Sequence, residues 1–441
     1  MRTTSFASVC GVVVAAALGC AAVAQSPSNT GVGPNPPLPA PEKNLIPTVD
    51  IAKAVGWPAG TQPKAPAGFR VTALATGLAH PRWVYVLPNG DVLVAESNSP
   101  PAKDGARNVH SEGLRGKAMG AFMKRAGASA PSANRITLLR DADGDGVAEV
   151  KTVFMSGLFS PFGMALVGNE LFIANADAIV KVPYQAGQTS ITAAPVKLTD
   201  LPAGANHHWT KNIIASADGS KLYATVGSNS NIGDNGMASE EGRAAIWEVD
   251  RATGSKRLFA TGLRNPNGLG WEPQSKTLWT VVNERDELGN DLVPDYLTSV
   301  KDGAFYGWPW SYWGQNVDAR VKPPNPAMVA KAIAPDYGLG SHVAPLGLAF
   351  SDARMPPPYA SGAFIGEHGS WNRKPQTGYK VVFVPFEGGK PAGLPVDFLT
   401  GFLSSEGKAY GRPVGVALDA KGALLVADDV GNAIWRVAPA R

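Results

Sequence analysis

Histidine, arginine and amide side chains recur at equivalent places in this sequence, and together they suit the binding of an anion. His80 and His208 each stand just before a short apolar run, and Arg264, Asn265 and Arg412 hold corresponding places further along the chain. Guanidinium and amide groups donate hydrogen bonds to carboxylates, whereas a directly bound cation needs several carboxylate ligands. The pattern predicts a site for an anionic ligand. A ring of polar residues that only solvates a channel mouth is the simpler alternative.

These residues open a unit that recurs six times. Each copy contains a turn with glycine or proline, an alternating apolar run, a second turn, and a β-rich run that ends near an acidic or amide residue. The six copies begin at His80, Ser160, His208, Asn265, Ala344 and Arg412. Such repeats predict an all-β fold, a six-bladed β-propeller of four-stranded antiparallel blades. Equivalent positions then form a ring around one central channel.

Composition and spacing agree with many short strands joined by turns. The chain of 441 residues contains 50 glycines and 37 prolines, well above average usage. The unequal spacing of the copies indicates insertions at 97–134, 285–342 and 366–379. Because loops carry function more often than the strands they connect, these insertions are candidates for parts of the site.

The first 24 residues are typical of a secretory signal peptide. Arg2 precedes an apolar run over residues 6–18, and small residues end at Ala24, as in a cleavage site. We expect cleavage after Ala24 and a periplasmic or secreted protein. An uncleaved membrane anchor and a lipid-anchored form cut before Cys20 are the alternatives. Because Cys10 and Cys20 both lie in this segment, the mature chain has no thiol and no motif for covalent haem.

The remaining chain divides into two parts. Residues 25–66 are rich in proline and small polar residues, which predicts an extended linker, with an ordered strap around the domain as the alternative. Residues 67–441 form the propeller domain. A net charge of +4, with 17% charged residues of both signs, gives no basic field for nucleic acid. We therefore expect small-molecule partners.

Two other segments contain residue types that bind ligands. Asp141, Asp143 and Asp145 alternate as in a calcium loop, but Thr152 stands where an EF-hand has its bidentate glutamate. This segment is predicted to be a hairpin loop that holds structural calcium, or a plain turn. The aromatic run at 305–313 is either a stacking wall for a flat ligand or packing inside a blade.

Several motifs, in order along residues 68–437, resemble the glucose/sorbosone dehydrogenase family of soluble propeller enzymes, which use pyrroloquinoline quinone (PQQ) with calcium. The motifs are GLRNPNGLGWEP at 262–273, NERDELGNDLVPDY at 283–296, DGAFYGWPWSYWG at 302–314, EHGSWNR at 367–373 and GRPVGVALD at 411–419. The last two are closer to the L-sorbosone dehydrogenase-like branch.

The resemblance implies roles for individual residues. His208 matches the family's catalytic base, with His207 as its neighbouring rival and a structural turn histidine as the alternative. Arg264 and Asn265 match cofactor-contacting residues, and the Arg264 guanidinium is expected to stabilise negative charge on the quinone oxygen. Arg412 matches an arginine that pairs with a cofactor carboxylate.

Two further loops take roles from the resemblance. His368 and Arg373, with Lys374 as an alternative, lie where the family places another cationic cofactor contact. Calcium is expected at the loop that contains Glu284 and Arg285, through their carbonyl oxygens; a salt-bridged surface loop is the alternative.

The implied function is a periplasmic dehydrogenase. It oxidises an aldose or sugar aldehyde to the lactone or acid and passes electrons to an external acceptor, a cytochrome or quinone. Gly227-Ser228 replaces the Gly-Asp of glucose-type relatives, which argues against glucose as the substrate. A calcium-dependent propeller lactonase or esterase and a non-catalytic binding propeller are the alternatives.

Overall fold

The computed structural model describes residues 30–42, 48–100, 124–127, 130–204 and 206–440. Its sheets are antiparallel blades arranged as a six-bladed β-propeller, which confirms the predicted fold class. The predicted signal peptide, including Cys20, lies outside the described residues. Within them, no helix has the length and apolar character needed to cross a bilayer.

Each blade begins with a strand that contacts the first strands of neighbouring blades, so the first strands surround the axis. Blade 1 contains Pro81–Val86, Val92–Glu96, Arg135–Arg140 and Val150–Met155. Blade 2 contains Met164–Val167, Glu170–Ala174, Ala178–Pro183 and Val196–Asp200. Blade 3 contains Ile213–Ala215, Lys221–Val226, Ala245–Asp250 and Lys256–Thr261.

The remaining blades follow the same order from the axis outwards. Blade 4 contains Asn265–Trp271, Leu278–Asn283, Pro294–Ser299 and Tyr337–Ser341. Blade 5 contains Pro345–Phe350, Gly362–Glu367, Lys380–Glu387 and Val396–Leu399. Blade 6 contains Pro413–Leu418, Leu424–Asp428, Ala433–Pro439 and, from the start of the domain, Phe69–Ala75.

Short elements add to this framework. Val32–Gly33 pairs with Tyr337–Ser341, and Lys390–Pro391 pairs with the end of Lys380–Glu387, so two sheets have five strands rather than the predicted four. Two small ladders join Ser311–Tyr312 to Asn316–Val317, and Lys53–Ala54 to Lys408–Ala409. The described helices are one α-helical turn at Pro326–Val329 and one 3₁₀ turn at Met237–Glu240.

Middle strands are buried on both faces because each blade packs between two others. Every residue of Val92–Glu96 and of Leu424–Asp428 is buried, so these strands read as continuous apolar runs that end in an acid. The terminal carboxylates hold the turns that begin the blades: Glu96 accepts from the Ala79 amide, and Asp428 accepts from the Arg412 amide at 2.8 Å. This explains the acidic end of the repeat, since a buried amide must be paired.

The alternating strand directions place two sets of loops on one face of the ring, which we call the site face. These are the segments that precede each first strand and the loops between second and third strands. The latter include 227–244, 284–293, 368–379 and 429–432. The insertion predicted at 285–342 contributes one such loop and one long outer connection, 300–336.

The described part of residues 25–66 forms an ordered strap over the site face. The Glu42 amide donates to the Leu288 carbonyl, and the Asp50 amide donates to the Trp371 carbonyl, both at 2.9 Å. Trp57 packs on the ring of Phe402, with centroids 5.4 Å apart. Of the two interpretations of this segment, the strap therefore describes residues 30–42 and 48–66.

Candidate functional site

The predicted ring residues open their blades on the site face, and three of them have left-handed backbone conformations. His80, Ser160 and Ala344 have φ values of 57°, 46° and 55°, which non-glycine residues rarely adopt. Each residue precedes the first strand of its blade. The same left-handed turn therefore begins three of the six blades.

His208 is oriented by backbone. Its Nδ1 lies 2.8 Å from the Ser228 carbonyl oxygen and 3.0 Å from the Ser228 hydroxyl. Because a carbonyl only accepts, Nδ1 carries the proton and Nε2 has the lone pair. Burial, together with His207 and the charge of Arg264, lowers the pKa of His208 well below 6.5. His208 is therefore a neutral imidazole with a basic nitrogen that no described residue binds.

Gly227 brings His208 and Asn265 together. A Cβ atom at Gly227 would lie 2.3 Å from Asn265 Oδ1 and 2.6 Å from His208 Cβ, far inside van der Waals contact. Asn265 Oδ1 is buried without a hydrogen-bond partner among the described residues. Only glycine permits this approach, which leaves an unpaired acceptor beside the base.

Arg264 is rigidly held by the protein. Its guanidinium is 4% exposed, pairs with Asp286 at 2.8 Å, and donates to the Asn231 and Glu284 carbonyls. Protein groups therefore accept the hydrogen bonds of this guanidinium. Arg264 acts on the site through its positive charge and not through a free N–H group.

Asp286 organises the blade 4 side of the site. Besides Arg264, its carboxylate accepts from Asn372 Nδ2 at 2.8 Å and lies 3.7 Å from His342 Nδ1. Burial alone favours the neutral acid, but Arg264 and His342 hold the pKa of Asp286 below its ordinary range. His342 was missed by the sequence because the repeat assigns one residue to each blade, and blade 5 was assigned Ala344.

A second cluster combines residues of blades 1, 5 and 6. Asp429 accepts from Arg82 and, at 2.8 Å, from His368 Nε2, and it lies 3.6 Å from His80 Nδ1. Burial lowers the pKa of His368 to about 4, although Asp429 opposes the shift. Arg82 Cζ also lies 5.7 Å from the Trp209 ring centroid, so this cluster reaches towards the loop of the base.

Arg412 and Arg373 have different surroundings. Arg412 Cζ lies 5.1 Å from the Tyr379 ring centroid, and its buried Nε lacks a described partner. Arg373 pairs with Asp291 at 2.8 Å and donates to the Asn290 carbonyl. Arg412 is therefore available to a ligand, whereas Arg373 links the loops of blades 4 and 5.

The first predicted calcium site lies beside the Arg264 cluster. The Arg285 side chain is 2% exposed and pairs with Asp318 at 2.8 Å. Because a guanidinium cation has no atom that binds calcium, the possible ligand of this residue is its carbonyl oxygen. The Glu284 carbonyl accepts from Arg264 and has one further lone pair. Burial raises the pKa of the Glu284 carboxyl to about 7.

The second predicted calcium site lies on the opposite face. Asp141, Asp143 and Asp145 occupy the hairpin between the third and fourth strands of blade 1 and, with Glu149, place ligand oxygens within 4.8 Å of one another. Asp141 also accepts from the amides of Gly144 and Gly146. These carboxylates shape the turn, and the structure does not bring them to the ring.

The aromatic run at 305–313 packs mainly inside the fold. Tyr306, Tyr312 and Trp313 belong to the core between blades 3 and 4. Trp308 supports the site indirectly, since its Nε1 donates to the Asn231 carbonyl at 2.8 Å. The aromatic residue beside the base is instead the half-buried Trp209, which the repeat pattern did not single out.

The described residues at the site fit an anionic ligand. Arg82 Nε and Arg412 Nε are buried donors without described partners. Asn265 Oδ1 is a buried acceptor that also lacks a described partner. Unpaired buried groups cost free energy, and a polar ligand that meets them removes that cost. The donors are cationic, as carboxylates prefer.

Comparison with known proteins agrees with this chemistry. A family profile described as TrAA12-like matches residues 133–297 and 324–440. Aldose sugar dehydrogenase YliI of Escherichia coli (strain K12) is 30% identical over 135 residues, which are 30% of this chain and 32% of that protein.

Two solved structures share the fold. The holo form of the pyranose dehydrogenase PQQ domain from Coprinopsis cinerea has a TM-score of 0.67 and 21% identity, covering 88% of this chain and 100% of that one. The calcium structure of the Trichoderma reesei carbohydrate-active enzyme of family AA12 has a TM-score of 0.68 and 17% identity, covering 89% and 99%. The chain therefore belongs to the TrAA12-like family of PQQ-dependent sugar dehydrogenases, which confirms the predicted resemblance and the predicted class of enzyme, an oxidoreductase.

Proposed function

We propose that this protein is an exported dehydrogenase that uses PQQ and calcium to oxidise an aldose or sugar aldehyde to the lactone or acid. The observation that carries the proposal is the state of His208, a neutral imidazole whose Nε2 lone pair is available. Beside it lies Asn265 Oδ1, a buried acceptor without a described hydrogen-bond partner. The names of the aldose sugar dehydrogenase and of the pyranose dehydrogenase PQQ domain support a sugar substrate.

The cofactor contacts follow from charge. PQQ, when bound, supplies an electrophilic quinone carbon that accepts hydride. Arg412 and Arg82 offer cationic donors to its carboxylates, Asn265 offers an amide, and His368 is held in place by Asp429. Arg373 supports the cofactor site indirectly, because its contacts hold the loops of blades 4 and 5 together.

His208 accepts the substrate proton at Nε2. The imidazolium that results keeps its Nδ1–H on the Ser228 carbonyl, so the ring does not turn during the reaction. The positive charge of Arg264 lowers the pKa of His208 and so disfavours the imidazolium form. The same charge favours negative charge on the reacting oxygen.

Calcium is proposed at the carbonyl oxygens of Glu284 and Arg285. These are hard oxygen ligands of the kind that calcium prefers, and the calcium structure of the AA12 enzyme supports the choice of ion. The ion would need further ligands from water or the cofactor, since the adjacent guanidinium of Arg264 already uses the Glu284 carbonyl.

Electrons leave to an external acceptor, a cytochrome or quinone, since both cysteines fall within the first 24 residues and no covalent haem site follows. We propose that the predicted signal peptide exports the protein, which is then periplasmic or secreted. The lactonase or esterase alternative is not favoured, because Asp286 and Asp429 are each paired with an arginine and do not offer a free carboxylate cage.

The test is dye reduction by purified mature protein over a panel of aldoses and sugar aldehydes, with PQQ and calcium supplied together or one at a time. We expect turnover only with both additions. Activity without PQQ, or hydrolysis of lactones by the same preparation, would contradict the proposal. Arg412→Ala should weaken PQQ binding, which a fluorescence titration of the apoprotein measures.

A further inference from the structure

Behind the base lie two buried cations, Lys211 at 0% exposure and Arg243 at 6%. Among the described residues, Asp177 attracts Lys211 and Glu240 attracts Arg243 without forming an ion pair. Both cations donate to one atom, Asn206 Oδ1, at 3.1 and 3.2 Å. Buried unpaired charges destabilise a fold, so this pair points to a role besides packing.

The remaining contacts of Lys211 all lie on the loop of the base. Its Nζ donates to the His208 carbonyl at 3.3 Å and to the Trp209 carbonyl at 3.4 Å. With Asn206 Oδ1 these make three acceptors, which match the three donors of an ammonium group; a neutral amine would leave its lone pair without a donor. Burial and the charge of Arg243 lower the pKa of Lys211, and Asp177 opposes this shift.

Arg243 contacts the segment that orients the His208 imidazole. It donates to the Gly227 carbonyl at 3.4 Å, one residue before Ser228, whose carbonyl receives the Nδ1–H of His208. The two cations therefore fix both the segment that carries the imidazole and the segment that orients it.

We propose that Lys211 is a positioning residue for His208, fixing the loop 206–212 by three donated hydrogen bonds and placing positive charge behind the imidazole. The role rests on the proposed function of His208. The loop enters a first strand of only three residues, Ile213–Ala215, so the carbonyls of His208 and Trp209 depend on a side-chain donor.

The charge also has a chemical consequence. Besides Lys211, the charged and titratable groups that face His208 are His207, Arg264 and Asp286. Arg243 and Asp177 face Lys211, and Glu240 faces Arg243. The Lys211 ammonium group donates to the His208 carbonyl, and a positive charge at this place disfavours the imidazolium form of the ring.

The experiment is an NMR titration of His208 in the apoprotein, assigned with His208→Gln, in wild type, Lys211→Met and Lys211→Arg. Lys211→Met removes the charge, so we expect the pKa of His208 to rise by about one unit; Lys211→Arg should keep the wild-type value. Lys221→Met is the matched control, since Lys221 pairs with Asp250 at the surface of the same blade, and it should leave His208 unchanged.

With the loaded enzyme, Lys211→Met should lower kcat about tenfold with unchanged PQQ affinity. An unchanged pKa of His208 in Lys211→Met overturns the proposal. If that variant does not fold, Lys211→Gln removes the charge and keeps a hydrogen-bond donor; a rise in the pKa of His208 supports the proposal, and no change overturns it. Because the titration needs neither cofactor nor substrate, its result is independent of whether the proposed oxidation occurs.

Discussion

At the scale of single residues, the base is unusual in having no carboxylate partner. Ser228 stands beside His208, and its carbonyl and hydroxyl oxygens receive the imidazole N–H. A carboxylate at this place would stabilise the imidazolium and raise the pKa of His208, whereas a carbonyl fixes the tautomer without adding charge. This arrangement favours a base that remains neutral in mildly acid solution.

The pH dependence of activity follows from the lowered pKa of His208. The active form is the neutral imidazole, so kcat/KM should hold its plateau down to pH 6.5 and fall only below it, by about tenfold per unit beyond the shifted pKa. A pH–rate profile with dye reduction checks this. An acid limb centred above pH 6.5 would contradict the assignment.

Gly227→Ala tests the close approach of Asn265 to the base. The new Cβ would overlap Asn265 Oδ1 and His208 Cβ, so we expect activity to fall at least tenfold and the free energy of unfolding to fall by about 2 kcal/mol. Ser228→Ala is the control, because it keeps the orienting carbonyl and should retain most activity. Full activity in Gly227→Ala would show that this approach is unimportant.

Residue-level prediction from sequence depended on the repeat. Asn265 lies beside His208, as the aligned ring implies. Asp429 and His342 were not singled out because they lie one or two residues from the aligned positions, and the loop conformation, not the period, turns their side chains towards the clusters.

At the scale of elements, the strap ties residues before the propeller to the loops that build the site. Trp57 packs against Phe402 and Trp435, and its Nε1 donates to Asp428 at 2.7 Å. Asp428 in turn accepts from the Arg412 amide. Two hydrogen bonds that share Asp428 therefore connect Trp57 of the strap to Arg412, a predicted cofactor contact.

Trp57→Ala should destabilise the protein by about 2 kcal/mol, less than for a fully buried tryptophan because Trp57 is half-buried. We also expect weaker PQQ binding, since Asp428 loses a donor next to Arg412. Urea denaturation and a fluorescence titration measure the two effects. Val55→Ala, at a more exposed position of the strap, is the control, and equal behaviour of both variants would contradict this role of the strap.

The docking of the strap could not be predicted because its composition has no apolar period. Isolated contacts, such as Trp57 on Phe402 and the two-residue ladder Lys53–Ala54 with Lys408–Ala409, hold it in place. Such contacts depend on the surface that the blades form. The sequence of the strap alone therefore does not predict them.

At the scale of the whole molecule, the ring is closed by strands from both ends of the domain. Phe69–Ala75 pairs with Ala433–Pro439 in blade 6, so closure joins segments that are far apart in sequence. The six-fold period predicts this architecture well, because each blade buries its faces only against its neighbours. The fifth strands were not predicted, since they extend sheet edges beyond the repeat.

A chain truncated after residue 432 should not fold to a soluble monomer. It loses Ala433–Pro439, which leaves Phe69–Ala75 without a partner and exposes the buried faces of blade 6. Circular dichroism and size-exclusion chromatography test this, with removal of residues 440 and 441 as the control. A cooperative thermal transition in the truncated chain would contradict the account of closure.

The most direct test of the central claim is a single turnover of protein preloaded with PQQ and calcium, followed by the absorbance of the bound quinone after mixing with a sugar that wild type oxidises. The account predicts that wild type reduces the quinone, and that His208→Ala binds it with similar affinity but reduces it at least a hundredfold more slowly, because general-base catalysis is lost. Reduction by His208→Ala at the wild-type rate would show that His208 is not the base.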